Sequence, residues 1–293
     1  MLALAGCGLG PGPGTSNATL RVTRAFGSSR IGEVAARKVP GSETVIRMLE
    51  RHFRVSLRYG GGFVESIDGQ SGNSSQLDWF YYVNGIEAPM GGAVTAVHQG
   101  DQIWWDLHDW SATDSVPAVV GSFPEPFLHG SGGRRYPVTV ECANDVSIAC
   151  ARVSGELHKV GVPFASQVIG GSSGSDSLAL VVGTTRDLAP EILSQLINQG
   201  PRASGVYARF TAGGSALALL GPHGQVVRTL KSGAGLIAAT TQDSAPPTWL
   251  VTGTNVAGVS AAAAALTPAS LRDHFALAVQ GGDRFPIPLE PTS

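Results

Sequence analysis

Charge is scarce in this 293-residue chain, with Asp, Glu, Lys and Arg together only 14% of it, against roughly a quarter in an average soluble protein. What charge there is nearly cancels, leaving −2, so there is no basic surface of the kind that attracts nucleic acid. No stretch reaches 18 consecutive apolar residues, which excludes a membrane-spanning helix. Cysteine is limited to three, and none stands in the C-x₂-C spacing of a zinc or redox site. HExxH and DxDxDG are missing, and the glycine loops lack the following Lys-Ser/Thr of a phosphate cradle. These absences leave no metal centre, no cofactor and no nucleic acid partner to expect.

What is present begins with LAGC, residues 4–7. A small-residue cleavage site directly before a cysteine resembles the lipobox of bacterial lipoproteins, which implies a diacylglyceryl thioether on Cys7 and an extracytoplasmic, membrane-anchored protein. A secretory signal needs a charged start and a 7–15-residue apolar core, more than Met1 to Gly6 supply, so a late start codon or a trimmed chain is expected. Buried acyl carbons contribute about 0.8 kcal/mol per CH₂. The Gly- and Pro-rich stretch that follows, within residues 1–17, suits a flexible tether. Export permits disulfides. If Cys142 ends a strand and Cys150 lies in the first turns of the next helix, the two can bridge, at a gain of roughly 2.5 kcal/mol.

Hydrophobic content of 43% supports real cores, and 39 glycines imply many turns. Residues 18–114 read as one domain. TLRVTRAF (19–26) alternates apolar and polar residues like a half-buried strand, with GEVAARKV (32–39) as its hairpin partner. PGSETVIRMLERHF (40–53) reads as a helix capped by Ser42, with Val45, Ile46, Leu49 and Phe53 on one apolar face. VSLRYGG and GGFVESIDG (61–69) form a second hairpin. DWFYYVNGIEAP (78–89) is a strand ending in the Asn84-Gly85 turn signal, and GDQIWWDLHDW (100–110) closes the domain. Residues 115–136 are a Pro/Gly-rich linker. From 137 to 293, helix-like and strand-like segments alternate. SIACARVSGELHKVG (147–161) is a helix with Ile148, Val153 and Leu157 inward, SLALVVG (177–183) a buried strand, DLAPEILSQLINQG (187–200) a helix, and GVSAAAAAL (258–266) another. The expected class is α+β, a small β-grasp-like domain followed by an α/β domain with a mixed sheet.

WFYYVNG (79–85) followed by GAVTAVHQGDQIWWDL (92–107) resembles the transcobalamin-like C-terminal domain family, whose members carry a W-x-Y-x-V-N-G strand and then V-x-x-G-D-x-I-x-W. Trp79, Tyr81, Val83, Asn84 and Gly85, then Val97, Gly100, Asp101, Ile103 and Trp105, supply the pattern. The resemblance covers about a third of the chain. It implies a β-grasp-like fold and, from the vitamin carriers, one wall of a corrinoid site whose other wall is a helical barrel. Residues 115–293 do not read as such a barrel.

Four of the five tryptophans, Trp79, Trp104, Trp105 and Trp110, fall within 32 residues. Alternate residues of a strand face opposite sides. If Trp79, Tyr81, Ile103 and Trp105 are core, then Phe80, Tyr82, Trp104 and Asp106 face the other way. That second face either packs on residues 137–293 or presents Phe80, Tyr82, Trp104 and Trp110 to a ligand or partner. Charge is segregated as well. Residues 18–59 hold eight Arg and one Lys against three Glu, while 60–115 hold eight acids and no Lys or Arg. Cross-strand compensation and a bipolar face for a partner both fit. Catalytic constellations are thin. Ser172 lies in a G-x-S-x-G without the strand–turn–helix order of a nucleophile elbow. Asp106, His108 and Asp109 read as a strand-end ion pair ahead of a weak metal site or a general base. Thr252, Thr254 and Asn255 read as a capped turn before an anion site. The expected function is therefore non-enzymatic: a lipid-anchored binding protein presenting a corrinoid-like or other flat ligand to a membrane transporter, or else an adhesion module for protein or polysaccharide.

Overall fold

The computed structural model describes residues 17–73, 75–171, 176–243 and 245–291, and over these the chain is α+β. Cys7, most of its tether and Ser172 lie outside the described residues. The first region contains β1 (Ala18–Arg24), β2 (Ser29–Ala36), α1 (Val45–His52), β3 (Val55–Arg58), β4 (Phe63–Ile67), β5 (Gln70–Ser71), β6 (Leu77–Val83), β7 (Ile86–Glu87) and β8 (Gln102–Asp109). Five strands form a sheet in the order β2-β1-β8-β6-β7, with β1 and β8 parallel at its centre and the other pairs antiparallel. β3, β4 and β5 make a separate small antiparallel sheet. A parallel central pair with one helix across a face is the β-grasp arrangement.

The two-residue period of the strands decides which rings go where. Leu20, Val22, Trp79, Tyr81, Val83, Ile103, Trp105 and Leu107 converge on Val45, Ile46, Met48 and Leu49 of α1. The helix is capped by Thr44 rather than Ser42. Thr44 Oγ1 accepts from Arg47 N at 3.3 Å, and Thr44 itself stays extended because it bridges Ala96. Asn84 and Gly85 take positive φ values of 56° and 75°, the two-residue turn that their pairing calls for.

The second region contains β9 (Val138–Cys142), α2 (Ser147–Lys159), β10 (Ala165–Val168), β11 (Leu178–Thr184), α3 (Ile192–Gln199), α4 (Pro201–Ser204), β12 (Ala208–Phe210), β13 (Leu217–Leu220) and β14 (Val226–Leu230). It continues with β15 (Gly235–Thr240), β16 (Thr248–Gly253), α5 (Val256–Ala265), α6 (Pro268–Leu271), β17 (Ala276–Gln280) and β18 (Asp283–Ile287). Seven strands form a mixed sheet, β10-β9-β11-β16-β15-β17-β18, parallel from β10 to β16. One face packs Leu180, Val182, Trp249 and Val251 against α2 and α5. Ala149, Val153 and Leu157 are the buried positions of α2, spaced four apart. Ile148, expected inward, is 77% exposed, because it stands five positions before Val153 and that step turns it off the buried face. Cys142 and Cys150 are bridged, Cα–Cα 6.1 Å, tying the end of β9 to the first turns of α2.

The segment read as a linker is part of the core. Val116, Ala118, Val119, Val120, Phe123 and Phe127 are buried. Its backbone is shared between the regions, Val119 N donating to Gly85 O at 2.8 Å and Val120 N to Phe275 O at 3.0 Å. The second face of the five-stranded sheet packs here too. Phe26, Tyr82 and Trp104 join Val119, Tyr207 and Phe275 in one continuous cluster. Arg21 crosses the junction, pairing with Asp273 at 2.8 Å, donating to Gly121 O at 3.1 Å and lying over the Trp104 ring at 4.4 Å. Arg30 also pairs with Asp273, and Arg272 with Glu33. Gly27, at φ 83°, passes so near Asp273 O that a Cβ would sit 1.9 Å from it.

Candidate functional site

The four rings singled out for ligand contact separate in the structure. Tyr82 and Trp104 are fully buried between the regions, so the reading of that face as a ligand surface is corrected to packing. The physical reason is the hydrophobic second region folded over it. Trp104 Nε1 donates to Thr23 Oγ1 at 2.6 Å, and Thr23 donates on to Asp106. Asp106 also accepts from Phe26 N at 3.0 Å and Gly27 N at 2.9 Å. His108 Nδ1 lies 3.0 Å from Asp106 Oδ1, its ring stacked on Phe80 at 4.4 Å and beside Phe26 and Phe275. The Asp106–His108 pair is thus a buried structural hub with its oxygens committed. Asp109 turns elsewhere, to Ser111 N at 2.8 Å. Trp110 is half-buried just past β8, its backbone N–H donating to Gln76 O at 2.8 Å. Asn255 spends its side chain capping α5, accepting from Gly258 N at 3.0 Å, and Thr254 Oγ1 accepts from Gly233 N at 2.9 Å.

Phe80 is the exception, because it lines a groove. Gly62, Phe63, Val64, Asp78, Trp79, Phe80, Tyr81, Glu87 to Gly92 and Trp105 enclose a volume of about 300 Å³ between β4, β6 and the loop after β7. The loop is fixed from below. Tyr81 Oη donates to Met90 O and pairs with Thr95 Oγ1 at 2.8 Å. From above, Ile46 N donates to Gly92 O and Val45 N to Thr95 O, each at 3.0 Å. Of the lining residues Phe63 is 60% exposed and Met90 58%, and Tyr59, 84% exposed, meets the Phe63 ring edge to face at 6.0 Å. Tyr59 holds a left-handed backbone, φ 52°, a costly conformation for an aromatic residue that concentrates at ligand sites. The Trp105 indole N–H is buried with no acceptor among the described residues, and the neighbouring Cζ2 lies 3.4 Å from where a Gly92 Cβ would be.

Two carboxylates stand in this wall. Asp78 Oδ1 accepts from Trp79 N at 3.0 Å. Glu87 Oε2 accepts from Ser115 Oγ at 2.5 Å. Burial pushes the Glu87 carboxyl above its ordinary range, and the Ser115 hydrogen bond opposes part of that rise. Glu87, Ala88 and Pro89 are also a common wall with a second cavity of about 640 Å³, where Arg134 pairs with Asp176 at 3.0 Å and lies over Tyr136 at 5.1 Å. A third hollow of about 700 Å³ opens at the carboxyl ends of β9, β10 and β11, where the connections of β9 and β11 leave in opposite directions along the sheet. Such switch points often hold ligands. Here Asp187 Oδ2 is engaged by Thr184 N at 2.7 Å and Thr184 Oγ1 at 2.6 Å, and no ring lines the hollow.

Sequence reasoning placed Trp79, Tyr81 and Trp105 in the core and did not single out Tyr59, Phe63, Glu87 or Met90. The signal that could have found them is Y-G-G-G-F (59–63), which sets two rings at the ends of a glycine turn. Among the described residues no group of three or more His, Cys, Asp or Glu could hold a metal ion. No described helix is long and apolar enough to cross a membrane.

Residues 42–109, which carry most of the groove, match DUF4430, a domain of unknown function. No curated protein matches the chain. Among solved structures, the chain is similar to a candidate metal binding protein from Ruminococcus gnavus ATCC 29149, at 18% identity over 32% of this chain and 97% of that one, with a TM-score of 0.26.

Proposed function

We propose that the chain is a non-catalytic binding protein, held on the extracytoplasmic face of a bacterial membrane by lipid on Cys7. In this reading it takes a small, ring-bearing ligand in the groove beside β6 and presents it to a membrane transporter. The observation that carries the reading is the exposure of Phe63 and Met90 at a concavity, with the Tyr59 ring set against Phe63. Exposed apolar residues scattered singly are ordinary, whereas a cluster at a hollow is a feature of ligand sites. The transcobalamin-like resemblance of residues 79–107 supports it, since that module supplies one wall of a ligand site in its vitamin-carrying members. A volume of about 300 Å³ is at the small end for ligand sites. A corrinoid would lie across the rim with part of its ring inside, and a smaller flat molecule fits better.

Val94 extends the exposed apolar surface beyond the groove, which favours, as second reading, an adhesion module for a surface protein or polysaccharide. A fluorescence titration of the full chain against cobalamin, cobinamide, haem and oligosaccharides separates the two. Trp79 and Trp105 line the groove, so an absorbing ligand quenches them. Saturable quenching lost in Phe63→Ala supports the first reading. Silence toward the whole panel, with specific capture of an envelope component, supports the second.

A further inference from the structure

We infer that the contact between the turn before β8 and the 123–134 segment is a proton-sensitive clasp, in which two histidine–carboxylate pairs, His98 with Asp101 and His129 with Glu125, hold the segment most firmly in mildly acidic solution. None of the four residues lines the Phe63 groove, and no ligand is needed to test the clasp.

Each ring crosses to the other side of the contact. His129 comes from the 123–134 segment and lies against Gly100, so near that a Gly100 Cβ would sit 2.5 Å from its Nε2. His98 comes from the turn before β8 and lies against Gly133, where a Cβ would sit 2.7 Å from its Cδ2. Both glycines have positive φ, 82° and 75°, so neither place suits another residue. The carboxylates stand behind the rings, and both are buried. Glu125 Oε1 lies 2.5 Å from His129 Nδ1, and Glu125 Oε2 accepts from His129 N at 2.9 Å. Asp101 Oδ2 accepts from His98 N at 2.7 Å and lies 3.5 Å from His98 Nδ1. Asn84 Nδ2 joins the two sides, donating to Asp101 Oδ1 and to Gly130 O, each at 2.9 Å.

Two buried acids and two half-buried histidines therefore meet at one place. Among the described residues neither acid pairs with Lys or Arg, and Arg134, at the end of the segment, is turned to Asp176 at 3.0 Å. Burial pushes both carboxyls above their ordinary range. Hydrogen bonds from His98 and Asn84 at Asp101, and from His129 at Glu125, oppose part of that rise, while the Asp101 charge adds to it at Glu125. A raised carboxyl supports the fold below its ordinary value, and that contribution is lost as pH rises through the raised one. Histidine acts in the same direction. It gains positive charge in mild acid, and here each ring that does so faces a buried carboxylate of opposite sign. Without that charge the clasp holds two buried carboxylates beside neutral rings. Ser131 and Arg134 line the hollow of about 640 Å³ beside Glu87, so the clasp governs how firmly that wall is held.

Hydrogen exchange of the full chain, corrected for the intrinsic pH dependence of exchange and compared between about pH 5.5 and about pH 7.5, tests the inference. The expected result is about tenfold greater protection of the 123–134 amides at the lower pH, the equivalent of one pKa unit, with the amides of β11 as an unchanged reference. Glu125→Gln removes most of that difference. His129→Gln, at a half-buried ring, carries the same test should Glu125→Gln lower the melting temperature. Equal protection at the two pH values, or greater protection at the higher one, overturns the clasp. So does a change shared in full by β11, or a difference that survives in both variants.

Discussion

Strands β6 and β8 send aromatic rings to both faces of one sheet, and the two sets end in opposite circumstances. On the face toward the second region, Tyr82, Trp104 and His108 are sealed beneath Phe275 and the 116–123 segment, with nearly every polar atom of the Thr23–Asp106–His108 hub engaged. At the β4–β6 side, Phe63, Tyr59 and Met90 stay open. Satisfied polar groups and full burial stabilise a fold. Open rings do not, and their retention beside one concave place is the mark of a surface kept for something else.

If this contrast is right, substitutions on the two sides should fail differently. The largest expected effect is Trp104→Ala, which empties a buried indole site and strands Thr23, at a cost of about 4 kcal/mol in chemical denaturation. A loss below about 1 kcal/mol would mean the junction is not closed. Asp273→Ala follows. It leaves the Arg21 guanidinium buried without its ion-pair partner, which burial already disfavours, and should cost about 3 kcal/mol. Replacing both Cys142 and Cys150 by serine should cost roughly 2.5 kcal/mol through the chain-entropy of a short loop, with ligand binding at the groove unaltered.

Smaller stability effects are expected at the open side. Phe63→Ala should change folding free energy by less than about 0.5 kcal/mol while abolishing most ligand affinity, read by the same titration. Glu87→Gln should show a pH signature. Burial raises the Glu87 carboxyl pKa above 4.5. A raised carboxyl pKa favours the fold below the ordinary value, and that contribution is lost as pH rises through the raised one. The variant, which stays neutral, should therefore equal wild type near pH 4 and exceed it in stability near pH 7.5, as measured by paired denaturation curves.

Much of this architecture was legible in the residues. The alternation in WFYYV and IWWDLHD assigned Trp79, Tyr81 and Trp105 to one face and Tyr82 and Trp104 to the other, and Asn84-Gly85 gave its turn. The pattern could not say what covered the second face, because that depends on residues 116–123 and 275, distant in sequence and close in space. Pro and Gly in 115–136 read as a linker. In the structure its apolar residues Val116, Val119, Val120 and Phe123 outweigh them. Strand β10 escaped notice because it lies at the sheet edge with its side chains largely exposed, erasing alternation. β17 and β18 were also left unassigned. The groove was hidden for a related reason. Phe63 and Met90 look like core residues one at a time, and only the meeting of β4, β6 and the 88–92 loop shows that they are not.

The account's central claim is that the ligand surface is the Phe63 groove and not the Trp104 junction. The most direct measurement is a titration of the full chain with cobinamide and with haem followed by tryptophan fluorescence, repeated for Phe63→Ala and for the conservative Trp104→Phe. The account predicts a saturable change in wild type, retained with Trp104→Phe and lost with Phe63→Ala. A response that survives Phe63→Ala and disappears with Trp104→Phe would contradict it.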